Sequence, residues 1–268
     1  MLLSGVRKMP VMFDWLAHNI LSLRVAGVQN SATAAGGHCT WRFSQVKNPV
    51  RSLILTNSDT SGGICEMLAA KWLEVHANAE KYARSGEATS LAGWISRTGG
   101  EIDPNKVRQI MQMFIIGSTM NSGAVVGQPG IGREDQNYAT ERWLQSKGVT
   151  RRKHVSSGPS WFKGMSRGST GDRGGRRRDF SAEIGRAITS SAKSYKMIGV
   201  AGPNFAHAVA AWSDTDVTFF DPNFGEFWFP TTTAFQGWFP RFWHLAGYGT
   251  PAIGLSESYE IMEYDTVA

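Results

Sequence analysis

Residues 196–229 read KMIGVAGPNFAHAVAAWSDTDVTFFDPNFGEFWF, and this stretch decides the fold class. It is built from short aromatic or β-branched runs that are separated by turn residues, a pattern typical of an antiparallel meander. The predicted strands cover Lys196 to Val200, Phe205 to Trp212, Asp216 to Asp221 and Glu226 to Phe229.

The sequence before this stretch predicts mainly helices and loops. Apolar residues fall three, four, seven and eight positions after Cys65, so a helix from Cys65 to about Ala79 would carry the sulfur on its buried face. Further helices are predicted over Val11 to Ala26, Leu91 to Ser96, Lys106 to Ile116, Ser181 to Ser191 and Thr233 to Trp243, with a last strand over Ser258 to Tyr264. A helical half that carries the thiol, followed by a half made of strands, predicts an α+β fold.

Three short segments carry a thiol, an imidazole and a carboxylate in apolar sequence. They are Gly62-Gly63-Ile64-Cys65, Phe205-Ala206-His207-Ala208 and Phe219-Phe220-Asp221-Pro222-Asn223. A thiolate–imidazolium pair that is fixed by a carboxylate is a complete acyl-transfer apparatus, and it needs no metal or cofactor. We therefore predict Cys65 as nucleophile, His207 as base and Asp221 as the group that orients the base, with no cofactor and no metal.

The turn before the predicted thiol helix should stabilise a developing oxyanion. The amide of Cys65 is one of the unpaired donors at a helix start. Asn57, Asp59 and Thr60 are candidates for a second donor in the same turn. We choose Asn57, because an amide N–H suits an anion better than a carboxylate does.

The spacing of His207 and Asp221 gives a sharp structural prediction. They are 14 residues apart, and their midpoint, Asp214, lies in a polar turn sequence. A hairpin that turns symmetrically about Asp214 with a three-residue loop would make them direct cross-strand partners. A slip of one residue would turn Asp221 to the other face of the sheet.

Bulk properties exclude several classes of protein. With 268 residues the chain can form one large domain or a core domain plus an extension. Its two cysteines form neither a disulfide framework nor a metal cluster, which favours a reducing compartment. The apolar stretch near the start is interrupted by polar residues, so we expect no cleaved signal peptide. No run reaches the roughly 18 apolar residues that a spanning helix needs, so we expect a soluble protein.

The formal charge of +6 is concentrated in residues 151–178. This segment holds nine basic residues against one acid, Asp172. Such a charge is compatible with RNA, DNA or anionic lipid as a partner, but the Gly and Ser content describes a solvated loop, which we favour. An anionic membrane surface stays open as a partner of this loop, and nucleic acid is not expected.

Residues 1–48 are predicted to form an N-terminal extension for secretion or processing, with Asn30 to Gly37 as a linker, and residues 49–268 to form the catalytic domain with its basic loop.

The residues of the candidate site resemble the YopT-type cysteine protease family, bacterial effectors with a papain-like core. The matching segments are Gly63-Ile64-Cys65 before a helix with Trp72, then His207-Ala208, and the nine contiguous residues from Phe219 to Phe227. The resemblance is spread over roughly residues 50–230.

This resemblance implies a papain-like fold in which a helical half carrying Cys65 packs on an antiparallel sheet carrying His207 and Asp221. It also implies an endopeptidase that is delivered into a host cytosol and cleaves host proteins such as small GTPases or kinases. Two alternatives stay open: a deamidase or transglutaminase-type acyltransferase that uses the same three groups, and a non-enzymatic module that binds through residues 151–178.

Overall fold

The computed structural model describes residues 11–120, 140–156, 179–202, 206–251, 253–255 and 258–266, and every structural statement below concerns these residues. The strands are β1 (His38–Trp41), β2 (Val149–Ser156), β3 (Ser194–Ala201), β4 (Ala206–Ser213), β5 (Val217–Asp221), β6 (Gly225–Phe229) and β7 (Ser258–Thr266). They form one antiparallel sheet in the order β1-β6-β5-β4-β3-β7-β2. The predicted meander, β3 to β6, is thus confirmed at the centre of the sheet.

The helices are α1 (Val11–Ser31), α2 (Val50–Ile54), α3 (Cys65–Ala77), α4 (Ala79–Ser85), α5 (Leu91–Ile95), α6 (Pro104–Met120), α7 (described over 140–146), α8 (Ser181–Ile188) and α9 (Thr232–Ala246). Among the described helices, none combines the length and the apolarity needed to cross a lipid bilayer.

The sheet buries both of its faces under helices. Because side chains alternate along a strand, Phe220 packs on one face with α3 residues such as Trp72, and Phe219 packs on the other face with α9 residues such as Trp238. The predicted α+β class with an antiparallel sheet is confirmed. The layer of α1, α8 and α9 on the second face was not predicted.

The two outer strands, β1 and β2, escaped prediction. Strand β1 is only four residues long, and β2 carries the exposed side chains Arg151, Arg152 and Lys153. Short length and outward charge are what edge strands use to avoid further pairing, and they also remove the apolar alternation that marks a strand in sequence. Residues 151–156 therefore belong to β2 and not to a loop, and residues 157–178 lie outside the described residues.

The boundary predicted at residue 48 does not separate an extension from the domain. Helix α1 contributes Val25 and Val28 to the core, and β1 pairs with β6. The predicted linker is also part of the fold, because a Cβ at Gly37 would lie 2.4 Å from the ring of Phe229.

Helix α1 also holds two loops by hydrogen bonds. The side-chain amide of Gln29 donates to the carbonyls of Phe43 (3.4 Å) and Phe224 (3.0 Å). Arg24 donates to the carbonyl of Leu245, in the last turn of α9, at 2.9 Å. These bonds reach the segments on either side of the candidate site.

Candidate active site

Cys65 is the first residue of α3, which packs against β4. The chain arrives there through Gly63, whose φ of +121° is rarely adopted by residues with a side chain. A hydrogen bond from the amide of Gly63 to the carbonyl of Thr60 (2.8 Å) closes the turn before it. The Gly-Gly pair therefore serves to deliver the thiol to the start of a buried helix.

His207 and Asp221 come from neighbouring strands and form a buried pair. The ring Nε2 of His207 lies 2.9 Å from Oδ1 of Asp221, and the two residues are 5% and 0% exposed. His207 lies near the start of β4, and Asp221 ends β5, so the pair occupies one end of the sheet.

The predicted hairpin register is wrong by two residues. Ser213 pairs with Val217, and the three-residue loop is centred on Thr215 and closed by a bond from the Asp214 amide to the Asp216 carbonyl (2.9 Å). His207 and Asp221 are therefore diagonal neighbours rather than direct partners. Because the side-chain period of a strand is two, a slip of two keeps both on one face, and diagonal neighbours are still within reach of each other.

The Asp-Pro-Asn segment fixes the carboxylate of Asp221. Its Oδ1 accepts a bond from the amide of Asn223 (2.7 Å), and its backbone carbonyl accepts one from the amide of Phe224 (2.9 Å). This is the tight turn that an Asp with Pro at the next position favours. The turn ends the strand and aims the carboxylate at the imidazole.

The electrostatics of the pair favour a charged imidazole. Burial alone lowers the pKa of His207, but the charge and the hydrogen bond of Asp221, assisted by Cys65, outweigh it and raise the pKa to about 10. Because Nε2 is engaged by Asp221, Nδ1 is the ring nitrogen left for Cys65. An imidazolium beside a cysteine stabilises the thiolate, which is the nucleophilic form.

A small cavity of about 30 Å³ brings two of the predicted groups, the thiol and the imidazole, together. Its walls include Cys65 and His207, and they also include Gln45, Tyr248 and the α1 residue His18. Among the described residues, no group of three or more His, Cys, Asp or Glu side chains is arranged to hold a metal ion.

The structure places Asn57 away from this cavity. Its side-chain oxygen accepts a bond from the amide of Asp59 (2.8 Å) at an exposed position of the turn. Gln45 is the side-chain amide that lines the cavity instead. Its Oε1 accepts a bond from the amide of Ile64 (3.1 Å), so its Nε2 donates: one N–H bonds Oδ1 of Asn223 (2.9 Å), and the second has no partner among the described residues.

Gln45, Asn223 and Tyr248 are the functional candidates that sequence reasoning missed. Asn223 stood within the quoted segment Phe219 to Asn223, but no role was assigned to it. Gln45 lies in the segment assigned to the extension, and Tyr248 follows a helix with no local pattern around it. Only the three-dimensional fold brings these three to Cys65.

Comparison with known proteins finds relatives that are named cysteine proteases. The cysteine protease YopT of Yersinia enterocolitica is 28% identical over 94% of this chain and 71% of its own length. The adenylyltransferase and cysteine protease IbpA of Histophilus somni is 27% identical over 84% of this chain and 5% of its own length. The solved structure of the Pseudomonas avirulence protein AvrPphB covers 78% of this chain and 95% of its own, with 13% identity and a TM-score of 0.48.

The model of one peptidase family, C58, described as the Yersinia/Haemophilus virulence surface antigen, matches residues 121–265, more than half of the chain. YopT and IbpA are cysteine proteases by name. The chain therefore belongs to the peptidase C58 family and is a cysteine-type peptidase.

Proposed function

We propose that the protein is a papain-like endopeptidase that cleaves a protein substrate through an acyl-enzyme on Cys65. The observation that carries the proposal is the 2.9 Å bond between the buried Asp221 and His207, which lines the same cavity as Cys65. A thiol and a base that line one cavity, with an acid bonded to the base, are the groups that acyl transfer requires.

The first half of the reaction forms a thioester. The thiolate of Cys65 attacks the carbonyl carbon of the peptide bond, and the negative charge moves to the carbonyl oxygen. The Cys65 amide and the second N–H of Gln45 Nε2 donate to that oxygen. When the C–N bond breaks, His207 gives its Nδ1 proton to the leaving amine.

The second half releases the product acid. His207, now neutral, takes a proton from water as the water attacks the thioester carbon. The C–S bond then breaks, the product carboxylic acid leaves and loses its proton to solvent, and the thiolate–imidazolium pair is restored. Asp221 stays ionised and holds the ring throughout, as the carboxylate of a catalytic triad does.

The biological setting follows from the relatives. We propose a bacterial effector that acts in the cytoplasm of a host cell and whose substrate is a host protein, a small GTPase or a kinase. Support comes from the YopT proteases of Yersinia, which match nearly the whole chain.

The test is a proteome-wide search for new N-termini. A host-cell lysate is incubated with wild-type protein and, in parallel, with Cys65→Ala. We expect new N-termini with the wild type alone. Side-chain mass changes of glutamine that depend on Cys65, without chain scission, would instead establish the deamidase or transglutaminase alternative.

The high pKa of His207 predicts the alkaline limit of activity. The leaving amine needs a proton from the imidazolium, so kcat/KM for a fluorogenic peptide should fall as pH rises through about 10. The imidazolium of His207 also stabilises the folded state. This contribution to the free energy of unfolding is complete below the unfolded pKa of about 6.5 and is lost as pH rises through about 10. Asp221→Asn should move the alkaline limb to lower pH, because it removes the charge that raises the pKa. A wild-type limb near 6.5 would contradict this assignment.

The corrected oxyanion donor gives a paired prediction. Gln45→Glu keeps the acceptor for the amide of Ile64 but removes the donor, and we expect kcat to fall by about 10²-fold. Asn57→Ala should leave kcat within about twofold, because its side chain bonds only within its own exposed turn. Steady-state kinetics of both variants, with thermal melts to check folding, decide the assignment. A larger loss with Asn57→Ala would restore the original prediction.

A further inference from the structure

A chain of four buried hydrogen bonds runs from the start of α3 to Asp221. The amide of Ile64 donates to Oε1 of Gln45, and Nε2 of Gln45 donates to Oδ1 of Asn223. Nδ2 of Asn223 donates to the hydroxyl of Tyr248 (3.1 Å), which donates to Oδ2 of Asp221 (2.7 Å). Every bond in the chain donates in the same direction, towards the carboxylate.

The direction of the chain is fixed at both ends. A backbone N–H can only donate, and an ionised carboxylate can only accept. Each amide in between must therefore present its oxygen to the donor before it and its nitrogen to the acceptor after it. This requirement points Oε1 of Gln45 at the amide of Ile64 and Nε2 at Asn223.

Tyr248 is held in place from all sides. Gly247, with a φ of +79°, ends α9 and turns the chain so that the amide of Tyr248 bonds the carbonyl of Trp243 (3.2 Å). The ring packs 5.2 Å from Trp243, 5.8 Å from Phe224 and 5.4 Å from the imidazole of His207, and the residue is 1% exposed. The hydroxyl of this phenol donates its proton in the hydrogen bond to Asp221.

We propose that Tyr248 is a positioning residue of the active site, acting through Asp221. Asp221 uses Oδ1 for His207 and Oδ2 for Tyr248, so the phenol prevents the carboxylate from rotating away from the ring. The same hydroxyl accepts a hydrogen bond from Asn223, which in turn accepts one from Gln45. The phenol therefore also connects Asp221 to the proposed oxyanion donor. Burial, followed by the charge of Asp221, raises the pKa of Tyr248 well above 10, which keeps the hydroxyl a donor. The inference deepens the endopeptidase proposal and rests on it.

The test is a double-mutant cycle with Tyr248→Phe, Asp221→Asn and the pair together. The first readout is the rate constant for alkylation of Cys65 by iodoacetamide at pH 7, which needs no substrate. The second is kcat and KM for peptide hydrolysis. Hydrogen bonds to charged groups contribute about 1.5–3 kcal/mol, so we expect Tyr248→Phe to lower both the alkylation rate constant and kcat by about tenfold or more. KM should stay within about twofold.

The energetic coupling between Tyr248→Phe and Asp221→Asn distinguishes a positioning role of Tyr248 from a purely structural one. If Tyr248 acts through Asp221, adding Tyr248→Phe to Asp221→Asn should change either rate by less than about twofold. Tyr264→Phe is the matched control, since Tyr264 is equally buried and its hydroxyl contacts only the sulfur of Met262 (3.6 Å) in the described structure. We expect it to leave both rates unchanged.

Three outcomes overturn the proposal: Tyr248→Phe behaves like Tyr264→Phe, the two effects multiply in the double variant, or KM alone changes. If the alkylation cycle shows coupling but no protein cleaves peptides, the endopeptidase proposal fails and the positioning role stands. If Tyr248→Phe does not fold, Asn223→Asp replaces it, because the new carboxylate would draw the phenol proton away from Asp221 and lower the alkylation rate in the same way. An unchanged rate in that folded variant contradicts the proposal.

Discussion

Cys65→Ala is expected to abolish peptide cleavage while leaving the fold intact. Removing the nucleophile of a catalytic triad lowers kcat by about 10⁴-fold or more, because no other group forms the acyl-enzyme. Alanine is a good helix former, and Cys65 is only half-buried, so the thermal midpoint should stay within about 2 °C. Cleavage assays and thermal melts on the same preparation measure the two effects.

Cys39→Ala is the matched control for this experiment. Cys39 lies in β1, and burial raises the pKa of its thiol to about 11, so it should be a thiol and not a thiolate at neutral pH. We expect Cys39→Ala to retain activity and the wild-type protein to be alkylated at Cys65 first. Loss of activity with Cys39→Ala, or preferential alkylation of Cys39, would contradict the assignment of the nucleophile.

The largest loss of stability is expected from Trp72→Ala. Trp72 is fully buried on the helix that begins with Cys65, and its ring stacks on His76 at 4.2 Å. Its Nε1 donates to Oε2 of Glu226 at 2.6 Å. The substitution opens a cavity and takes a donor from a buried carboxylate, so the free energy of unfolding should fall by about 4 kcal/mol. Urea unfolding at 25 °C measures the change.

The contribution of the hydrogen bond is isolated by Trp72→Phe. Glu226 is 9% exposed, and its bonds to His76, Trp72 and Thr40 outweigh burial and hold its pKa below the usual range. Loss of one donor should lower the free energy of unfolding by about 1–3 kcal/mol. Trp228→Phe removes a similar bond to the half-buried Asp216 (2.7 Å) and should cost under about 1 kcal/mol. Equal losses for the two variants would show that burial of the carboxylate does not matter.

The site residues that lie in a recognisable local sequence pattern could be predicted from the sequence. Cys65 follows a Gly-Gly turn and opens a periodic helix, and His207 and Asp221 sit in short apolar runs separated by turn residues. The hairpin register could not be predicted, because registers two residues apart bury the same faces and the pattern cannot distinguish them. Asn57 was chosen for its nearness along the chain, whereas the donor that lines the cavity, Gln45, comes from a segment with no regular structure.

The same limit explains the fold elements that were missed. Strands β1 and β2 lie at the edges of the sheet, where short length and outward charge hide the period of two. Helix α1 was predicted, but its packing in the core was not. The sequence pattern of an amphipathic helix does not show whether its apolar face packs on the same domain or elsewhere.

The hydrogen bonds that α1 makes to the two loops determine where a recombinant fragment of the protein can start. A recombinant fragment cut at residue 49 would lack Gln29 and Arg24, whose bonds support the chain on both sides of the catalytic pair, and it would lack Gln45 as well. Such a fragment would keep Cys65, His207 and Asp221. It would lack the residues whose hydrogen bonds support the segments around them. Expression boundaries should therefore be drawn ahead of residue 11, even though the chemistry starts at residue 65.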